Sequence, residues 1–298
     1  MVIETPKVAI MGFGGIGVAV GYLLGRQRVS YGVIPHKGLA AGLSVAIQHD
    51  GVSTSLRPKV LTPGETVERL FVSVRAYDLQ EALQMAQAWL LPGATVTVIV
   101  NGACLETAEK WANQMNIQLE YGICTFGVTL VKEMQYALFL SGNTGIKVGS
   151  LRGKAEAWAK ARVFYNGTPH IDWVDDIKPV YFVKWIQNTV INSLCAVLGL
   201  AKNGELLHHG VRLDETFAEA WQLACLLWPD VVVDKVEVYE KVRQLIVDTS
   251  ENENTMVRDI RLGRRTETDF MAGMARAYPS QFPALEKLQE TIRDLSCV

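Results

Sequence analysis

The chain has 298 residues, with 29 Lys+Arg against 31 Asp+Glu and a formal net charge of −2. At 49% hydrophobic and 20% charged it has the make-up of a folded globular protein, which excludes extended disorder. A sequence pI of about 6.2 excludes bulk attraction to nucleic acid, and roughly 100–200 residues per domain predicts two domains.

In chain order, Lys7–Met11 is an apolar run that predicts a strand, and Gly15–Leu24 follows with helical spacing of apolar residues. Val29–Ile34 and Leu70–Val74 predict further strands. Asp78–Leu91 predicts a helix with Asp78 as its N-cap. Pro92-Gly93 punctuates, and Thr95–Val100 reads as a strand buried on both faces of a parallel sheet. A helix over Cys104–Met115 and a strand over Leu119–Cys124 complete an alternation that specifies a doubly wound α/β domain. Glycine-separated short strands from Phe126 to Leu151 predict an antiparallel extension of the sheet. A helix near Lys154–Tyr165 and a loop at Asn166-Gly167-Thr168-Pro169 follow. Beyond about residue 177 the pattern is helical, at 180–201, 214–228, 235–249, 255–278 (broken near Gly263) and 283–295. The expected architecture is α/β, with an N-terminal Rossmann-type doubly wound sheet over 1–172 and an all-helical C-terminal domain over 173–298.

Of the 25 glycines, five fall between Gly12 and Gly21. Gly12-Phe13-Gly14-Gly15-Ile16-Gly17 fits G-x-G-x-x-G between a predicted strand and a predicted helix, the context in which the motif binds a dinucleotide pyrophosphate. The first glycine allows the turn, the second admits the phosphates and the third lets helix and strand pack; the helix-start N–H groups then hold the anion. The plain alternative is a glycine-rich structural turn. NAD-preferring sites place a carboxylate about 20 residues on. Here that stretch reads Ile34-Pro35-His36-Lys37-Gly38, with no acidic residue before Asp50. His36 and Lys37 are therefore candidates for a 2′-phosphate, which points to NADP(H), unless both are solvated loop residues.

Lys184, Asn188 and Asn192 stand at i, i+4 and i+8 in an otherwise apolar helix, within about 80° of one face. A lysine and two amides among apolar side chains need partners. A ligand would supply them, as would structural hydrogen bonds at a domain interface.

With these residues the sequence resembles the ketopantoate reductase (2-dehydropantoate 2-reductase) family. The family's core helix carries Lys, Asn and Asn at the same spacing as Lys184, Asn188 and Asn192. The resemblance extends to Asn101-Gly102, Asn203-Gly204-Glu205, Thr255-Met256-Val257-Arg258-Asp259-Ile260-Arg261 and Gly263-Arg264-Arg265-Thr266-Glu267-Thr268-Asp269, in order over both domains. It implies NADPH-dependent reduction of a 2-oxo acid in a cleft between the domains, ketopantoate to pantoate in pantothenate and coenzyme A biosynthesis. By the same resemblance Lys184 is the general acid, and Glu267 orients it or bonds the substrate. Asn188 and Asn192 bind the substrate's polar groups, and Asn101 lies near the nicotinamide and the lysine. Thr255 occupies the place of a serine that binds the substrate carboxylate, and Arg75 that of a cofactor-contacting lysine. The chain departs from the family pattern at Ser193 (usually Pro), Thr255 (Ser), Arg75 (Lys) and Val100 (Gln), which leaves the acyl side chain of the substrate open. The rival readings are a related hydroxy-acid dehydrogenase acting on another branched oxo acid, and a non-catalytic NADP(H)-binding sensor.

Five widely spaced cysteines without C-x-x-C predict reduced thiols, with neither a disulfide framework nor a zinc site. His208-His209 is not expected to bind metal. The seven tryptophans read as core or interface packing, and the Arg261, Arg264 and Arg265 group as an anion attractor or a solvated helix end. The N-terminus shows no basic, apolar signal-peptide pattern, and the longest apolar runs fall short of the ~20 residues a membrane span needs. A cytoplasmic protein with no membrane or nucleic-acid partner is expected. The apolar, Trp-rich C-terminal helices are consistent with a homodimer.

Overall fold

The computed structural model describes residues 7–35, 42–140, 144–150, 164–166 and 170–296. The chain divides into two compact units, Met1–Val100 with Leu105–Ile177, and Asn101–Cys104 with Lys178–Val298. The first is the expected α/β unit. Its strands β1 (Val8–Met11), β2 (Tyr31–Ile34), β5 (Lys59–Val60), β6 (Val67–Val72), β7 (Leu90–Val98), β8 (Gln118–Cys124), β11 (Ile146–Gly149) and β12 (Ile171–Val174) form one sheet in the order β12-β11-β8-β7-β6-β1-β2-β5. Pairing is parallel from β5 through to β8. The strand order reverses at β1, whose neighbours are β2 and β6, and such a switch point leaves a crevice beyond the carboxyl ends of the strands.

A second sheet is the main difference from the sequence reading. β3 (Val45–His49), β4 (Val52–Leu56), β9 (Gly127–Lys132) and β10 (Gln135–Phe139) pair in the order β4-β3-β10-β9. Among the described residues only β11 extends the main sheet in antiparallel fashion, against β8. β9 and β10 leave it because β10 pairs with β3, a strand far back in the chain. The β3–β4 hairpin turns on Asp50 and Gly51, both with positive φ (48° and 75°), a dipeptide suited to a two-residue turn. Helix α1 (Gly15–Arg26) packs on β1 and β2 of the main sheet and on β3, β9 and β10 of the small one. Every residue from Gly17 to Leu24 is consequently buried, as expected of a helix that is apolar on all sides.

The helix predicted over Asp78–Leu91 is shorter. A 3₁₀ turn over Ala76–Asp78 precedes α2 (Leu79–Ala86), and the Asp78 side chain makes no cap hydrogen bond. β7 then begins at Leu90, and the Pro92-Gly93 punctuation lies within it, where the register against β6 shifts. A bulge of this kind accepts a proline that a regular ladder would not. Helix α3 (Leu105–Gln114) follows as expected. Most of the predicted Lys154–Tyr165 helix lies outside the described residues, as do Gly167, Thr168 and Pro169.

One face of the main sheet holds a buried polar cluster. Arg69 of β6 donates to Glu120 Oε2 of β8 (2.7 Å) and to the Tyr165 hydroxyl (2.9 Å). Thr97 of β7 and Tyr165 each donate to the same carboxylate oxygen, at 2.8 and 2.7 Å. The guanidinium also stands 4.3 Å from the Phe164 ring centroid. Burial and the Glu120 charge push the Tyr165 phenol well up, so it stays a donor.

The second unit is helical, with α4 (Lys178–Leu198), α5 (Gly210–Leu227), α6 (Lys235–Asp248), α7 (Thr255–Arg261) and α8 (Pro283–Ser296). The predicted 255–278 helix stops at Arg261. Gly263 (φ 62°) ends it, with Gly263 N–H on the Ile260 carbonyl and Arg264 N–H on the Asp259 carbonyl, a Schellman arrangement. Short 3₁₀ turns at Thr268–Phe270 and Ala272–Ala277 follow. α4 is the axis of the unit's core. Trp228 packs edge-on against Tyr181 and Trp185, both at 5.4 Å, and Trp221 against Phe182 at 5.5 Å. These tryptophans are therefore used inside the unit.

Removing Arg69 leaves the Glu120 charge buried without its cation. Arg69→Ala is expected to lower stability by about 3 kcal/mol in urea unfolding; a loss below about 1 kcal/mol contradicts this account of the cluster.

Candidate functional site

In the α/β unit the glycine motif closes the crevice end of β1. Gly12 has φ 88°, and a Cβ there would lie 2.7 Å from the Ser73 carbonyl oxygen; one on Gly17 would lie 2.1 Å from the Gly12 carbonyl oxygen. Ser73 Oγ donates to that same Gly12 oxygen at 2.7 Å, tying the turn to the end of β6. Gly14, the N-cap of α1, has open space where its Cβ would be. The first bond of α1 runs from Val18 N to the Gly14 carbonyl at 2.8 Å, so the N–H groups of Gly15, Ile16 and Gly17 precede the helical ladder, and no side chain caps them. Phe13 is buried in the core between the two sheets. An open glycine beside a ring of uncapped N–H groups fits a pyrophosphate.

Arg75 follows β6 in extended conformation at the start of the 3₁₀ turn. β2 ends at Ile34 without a carboxylate, and the next acidic residue, Asp50, belongs to the β3–β4 turn. His36 and Lys37 lie outside the described residues.

The helical unit gathers the polar residues. Lys184, Asn188 and Asn192 share one face of α4 and are half-buried. Asn101 belongs to this unit with the segment Asn101–Cys104. Asn188 Nδ2 donates to Asn101 Oδ1 at 3.2 Å. Tyr181 holds the same segment, accepting from Cys104 N–H at 3.0 Å and donating to the Gly102 carbonyl. Lys184 lies one helical turn from each of these two contacts, so its stem leaves α4 on the face that carries Asn101. Gly102 has φ 89°, and a Cβ there would stand 2.6 Å from Phe270 Cβ.

Glu267 is only 6% exposed and begins the turn that ends in Phe270. Phe270's carbonyl accepts from Ala103 N–H at 2.7 Å and Trp185 Nε1 at 3.0 Å. Burial and then the Glu267 carboxylate push the Cys104 thiol well up, which keeps it protonated.

Thr255 is exposed as the first residue of α7, whereas its neighbour Asn254 is buried and points inward. Asn254 Nδ2 donates to Asn192 Oδ1 at 2.9 Å and to Asn203 Oδ1 at 3.2 Å, while its Oδ1 accepts from Met256 N–H and Val257 N–H. Asn254 and Cys104 are the neighbours that sequence reasoning passed over. A Ser, Thr, Asp or Asn just before a helix is the available signal for the first; nothing local marks the second.

Ser193, in place of the family's proline, keeps its backbone N–H, and α4 runs unbroken through it. Its fully buried hydroxyl has no hydrogen-bond partner among the described residues. Arg261, Arg264 and Arg265 are exposed; Arg261 pairs with Glu253 at 2.7 Å and Arg265 with Asp269 at 3.7 Å. Among the described residues no group of three His, Cys, Asp or Glu could hold a metal ion, and no helix is long and apolar enough to cross a membrane.

Two family models match the chain in succession, "Ketopantoate reductase PanE/ApbA" over residues 8–153 and its C-terminal counterpart over 176–295. The 2-dehydropantoate 2-reductase of Salmonella typhi is 30% identical, covering 76% of this chain and 73% of that protein. The chain belongs to the ketopantoate reductase family. The 2-dehydropantoate 2-reductase of Archaeoglobus fulgidus is 27% identical over 91% of this chain and 90% of its own. The fold also matches that of a D-mandelate dehydrogenase solved with NADH and anilino(oxo)acetate (TM-score 0.83, 20% identity, 98% of both chains). This ketopantoate reductase homologue is thus an oxidoreductase of a family that depends on a pyridine nucleotide.

Gly14 and Gly17 separate binding from folding. Gly14→Val fills space that is open in the protein, at a φ of −82° that any residue adopts. It is expected to leave the melting temperature unchanged while weakening nucleotide binding by on the order of tenfold or more. Gly17→Val collides with backbone and is expected to lower both. Parental nucleotide affinity in Gly14→Val, measured by fluorescence titration, contradicts the assignment.

Proposed function

We propose that this chain catalyses NADPH-dependent reduction of a 2-oxo acid to a 2-hydroxy acid, with ketopantoate as the substrate and pantoate as the product. The supporting observation is the α4 face, which sets a lysine in line with two amides, the nearer of them hydrogen-bonded to Asn101. Reduced nicotinamide, when bound, supplies hydride to the carbonyl carbon. Negative charge then grows on the carbonyl oxygen, where the Lys184 ammonium stabilises it and donates the proton that makes the hydroxyl. Lys184 is left neutral and regains a proton from solvent. Glu267 orients the lysine or accepts from the substrate. Asn188 and Asn192 bind the substrate's polar oxygens, and Asn101 fixes Asn188 while facing the reacting group. Thr255 reaches the substrate carboxylate only from the exposed first position of α7.

Gly12, Phe13, Gly14, Gly15, Ile16 and Gly17 form the pyrophosphate turn in this reading, and Arg75 adds a cation. The lack of a carboxylate between Ile34 and Asp50 supports NADPH, with His36 and Lys37 meeting the 2′-phosphate. The neighbour solved with NADH and anilino(oxo)acetate supports a second reading, in which a bulkier 2-oxo acid replaces ketopantoate. A homodimer and a cytoplasmic location belong to the same proposal.

The test follows NADPH and NADH absorbance with ketopantoate and a panel of branched and aryl 2-oxo acids. Turnover with NADPH is expected, and Lys184→Ala is expected to lower kcat by about 10²–10⁴-fold. Lys37→Ala is expected to raise the KM for NADPH about tenfold without changing that for NADH. No turnover on any acid despite tight NADPH binding would contradict the enzyme reading in favour of a sensor. A Lys184→Ala chain with parental kcat would remove the role given to that lysine.

A further inference from the structure

We propose that Asn254 is a positioning residue that sets the polarity of Asn192, so that the α4 face presents amide N–H rather than amide oxygen at this point. The inference rests on the functional reading above and deepens it by naming the chemistry that Asn192 recognises.

A side-chain amide has one acceptor end and one donor end, and a site that binds an anion must fix which end faces it. Asn254 is 3% exposed, and both ends of its amide are engaged. Its oxygen caps α7 through Met256 N–H (2.9 Å) and Val257 N–H (3.4 Å). Its nitrogen must then point away from the helix, and it donates to Asn192 Oδ1 (2.9 Å) and Asn203 Oδ1 (3.2 Å). The orientation passes along the chain of amides, because two N–H donors of the helix start fix Asn254, and Asn254 in turn fixes Asn192 with its oxygen inward.

The Asn203 amide is set the same way. Its oxygen also accepts from Cys195 Sγ at 3.7 Å, and its nitrogen donates to Thr249 Oγ1 at 3.0 Å. Asn192 is left with its nitrogen end, whose hydrogen-bond partner among the described residues is Met271 Sδ at 4.0 Å, a weak acceptor. A group meeting Asn192 must accept a hydrogen bond there, as a carboxylate or carbonyl oxygen does. Asn192 therefore favours a carboxylate or carbonyl oxygen and disfavours a group that can only donate, such as an ammonium.

Asn254→Asp separates the relay from the cap. An aspartate caps α7 as well as asparagine does, but it places an acceptor against Asn192 Oδ1, which forces the Asn192 amide to turn over. The expected result is a KM for the 2-oxo acid raised about tenfold, with kcat and nucleotide Kd near the parental values and a lowered melting temperature, because the new carboxylate is buried. Asn254→Ser, which keeps a cap oxygen but is too short to bond Asn192, is expected to show a smaller rise in the same parameter and serves if the aspartate variant does not fold. In an Asn192→Ala background, Asn254→Asp is expected to add nothing. A parental KM in Asn254→Asp or Asn254→Ser, or an equal rise with and without Asn192, overturns the relay alone. A parent protein that turns over no 2-oxo acid overturns the functional reading and the relay with it.

Discussion

The carbonyl oxygen of Phe270 receives Ala103 N–H and Trp185 Nε1–H, and the polar face of α4 takes its form from that junction. It joins three stretches of chain that are distant in sequence: the Asn101–Cys104 segment shortly after β7, the middle of α4 and the turn that begins with Glu267. Tyr181 completes it, using one hydroxyl both to accept from Cys104 and to donate to Gly102. Residues Asn101–Cys104 have neither helix nor strand to satisfy their backbone. Gly102 and Cys104 are buried within this segment, and buried backbone is stable only where each polar group finds a partner. Gly102 lets the chain come this close, since its positive φ and the nearness of Phe270 Cβ leave no room for a side chain.

Three consequences follow from the same junction. Asn101 reaches Asn188 and joins the α4 face although it follows a strand of the other unit. Glu267 is buried near Cys104, where its charge is felt by the thiol. Trp185, which bonds Phe270, is also packed by Trp228, so the aromatic core of the helical unit stiffens the helix that carries Lys184. Further along that helix the amides of Asn192, Asn203 and Asn254 take over, each bond fixing the orientation of the next. Packing therefore locates the polar face, and hydrogen-bond direction determines what the face offers.

Much of this was legible in the sequence, for physical reasons that also mark the limit. The parallel strands β1, β2, β6, β7 and β8, α1 and the glycine turn announce themselves locally, through apolar runs and residues that only one backbone geometry demands, whereas the short edge strands β5 and β12 carry no such run. The i, i+4, i+8 spacing of Lys184, Asn188 and Asn192 required a shared face once the helix was granted. The second sheet was not legible in this way, because β10 pairs with β3 across a long stretch of intervening chain. Its one local signal, Asp50-Gly51, passed unused. Arg69 and Glu120 could not be paired from spacing alone, since strand register and the arrival of Tyr165 bring them together. Asp78 looked like a cap and makes no cap bond, whereas Asn254 is a cap whose other end does more. Residue type reveals the capacity to bond; the partner comes from packing.

The central claim is that the Asn101–Cys104 junction holds Asn101 in place on the α4 face, and the kcat/KM of a Tyr181→Phe variant for the 2-oxo acid tests it most directly. The substitution keeps the aromatic packing against Trp228 and removes only the hydroxyl that bridges Cys104 and Gly102. A fall of about tenfold in kcat/KM, with unchanged nucleotide affinity, is the predicted result. Parental kcat/KM in a folded Tyr181→Phe chain would contradict the account.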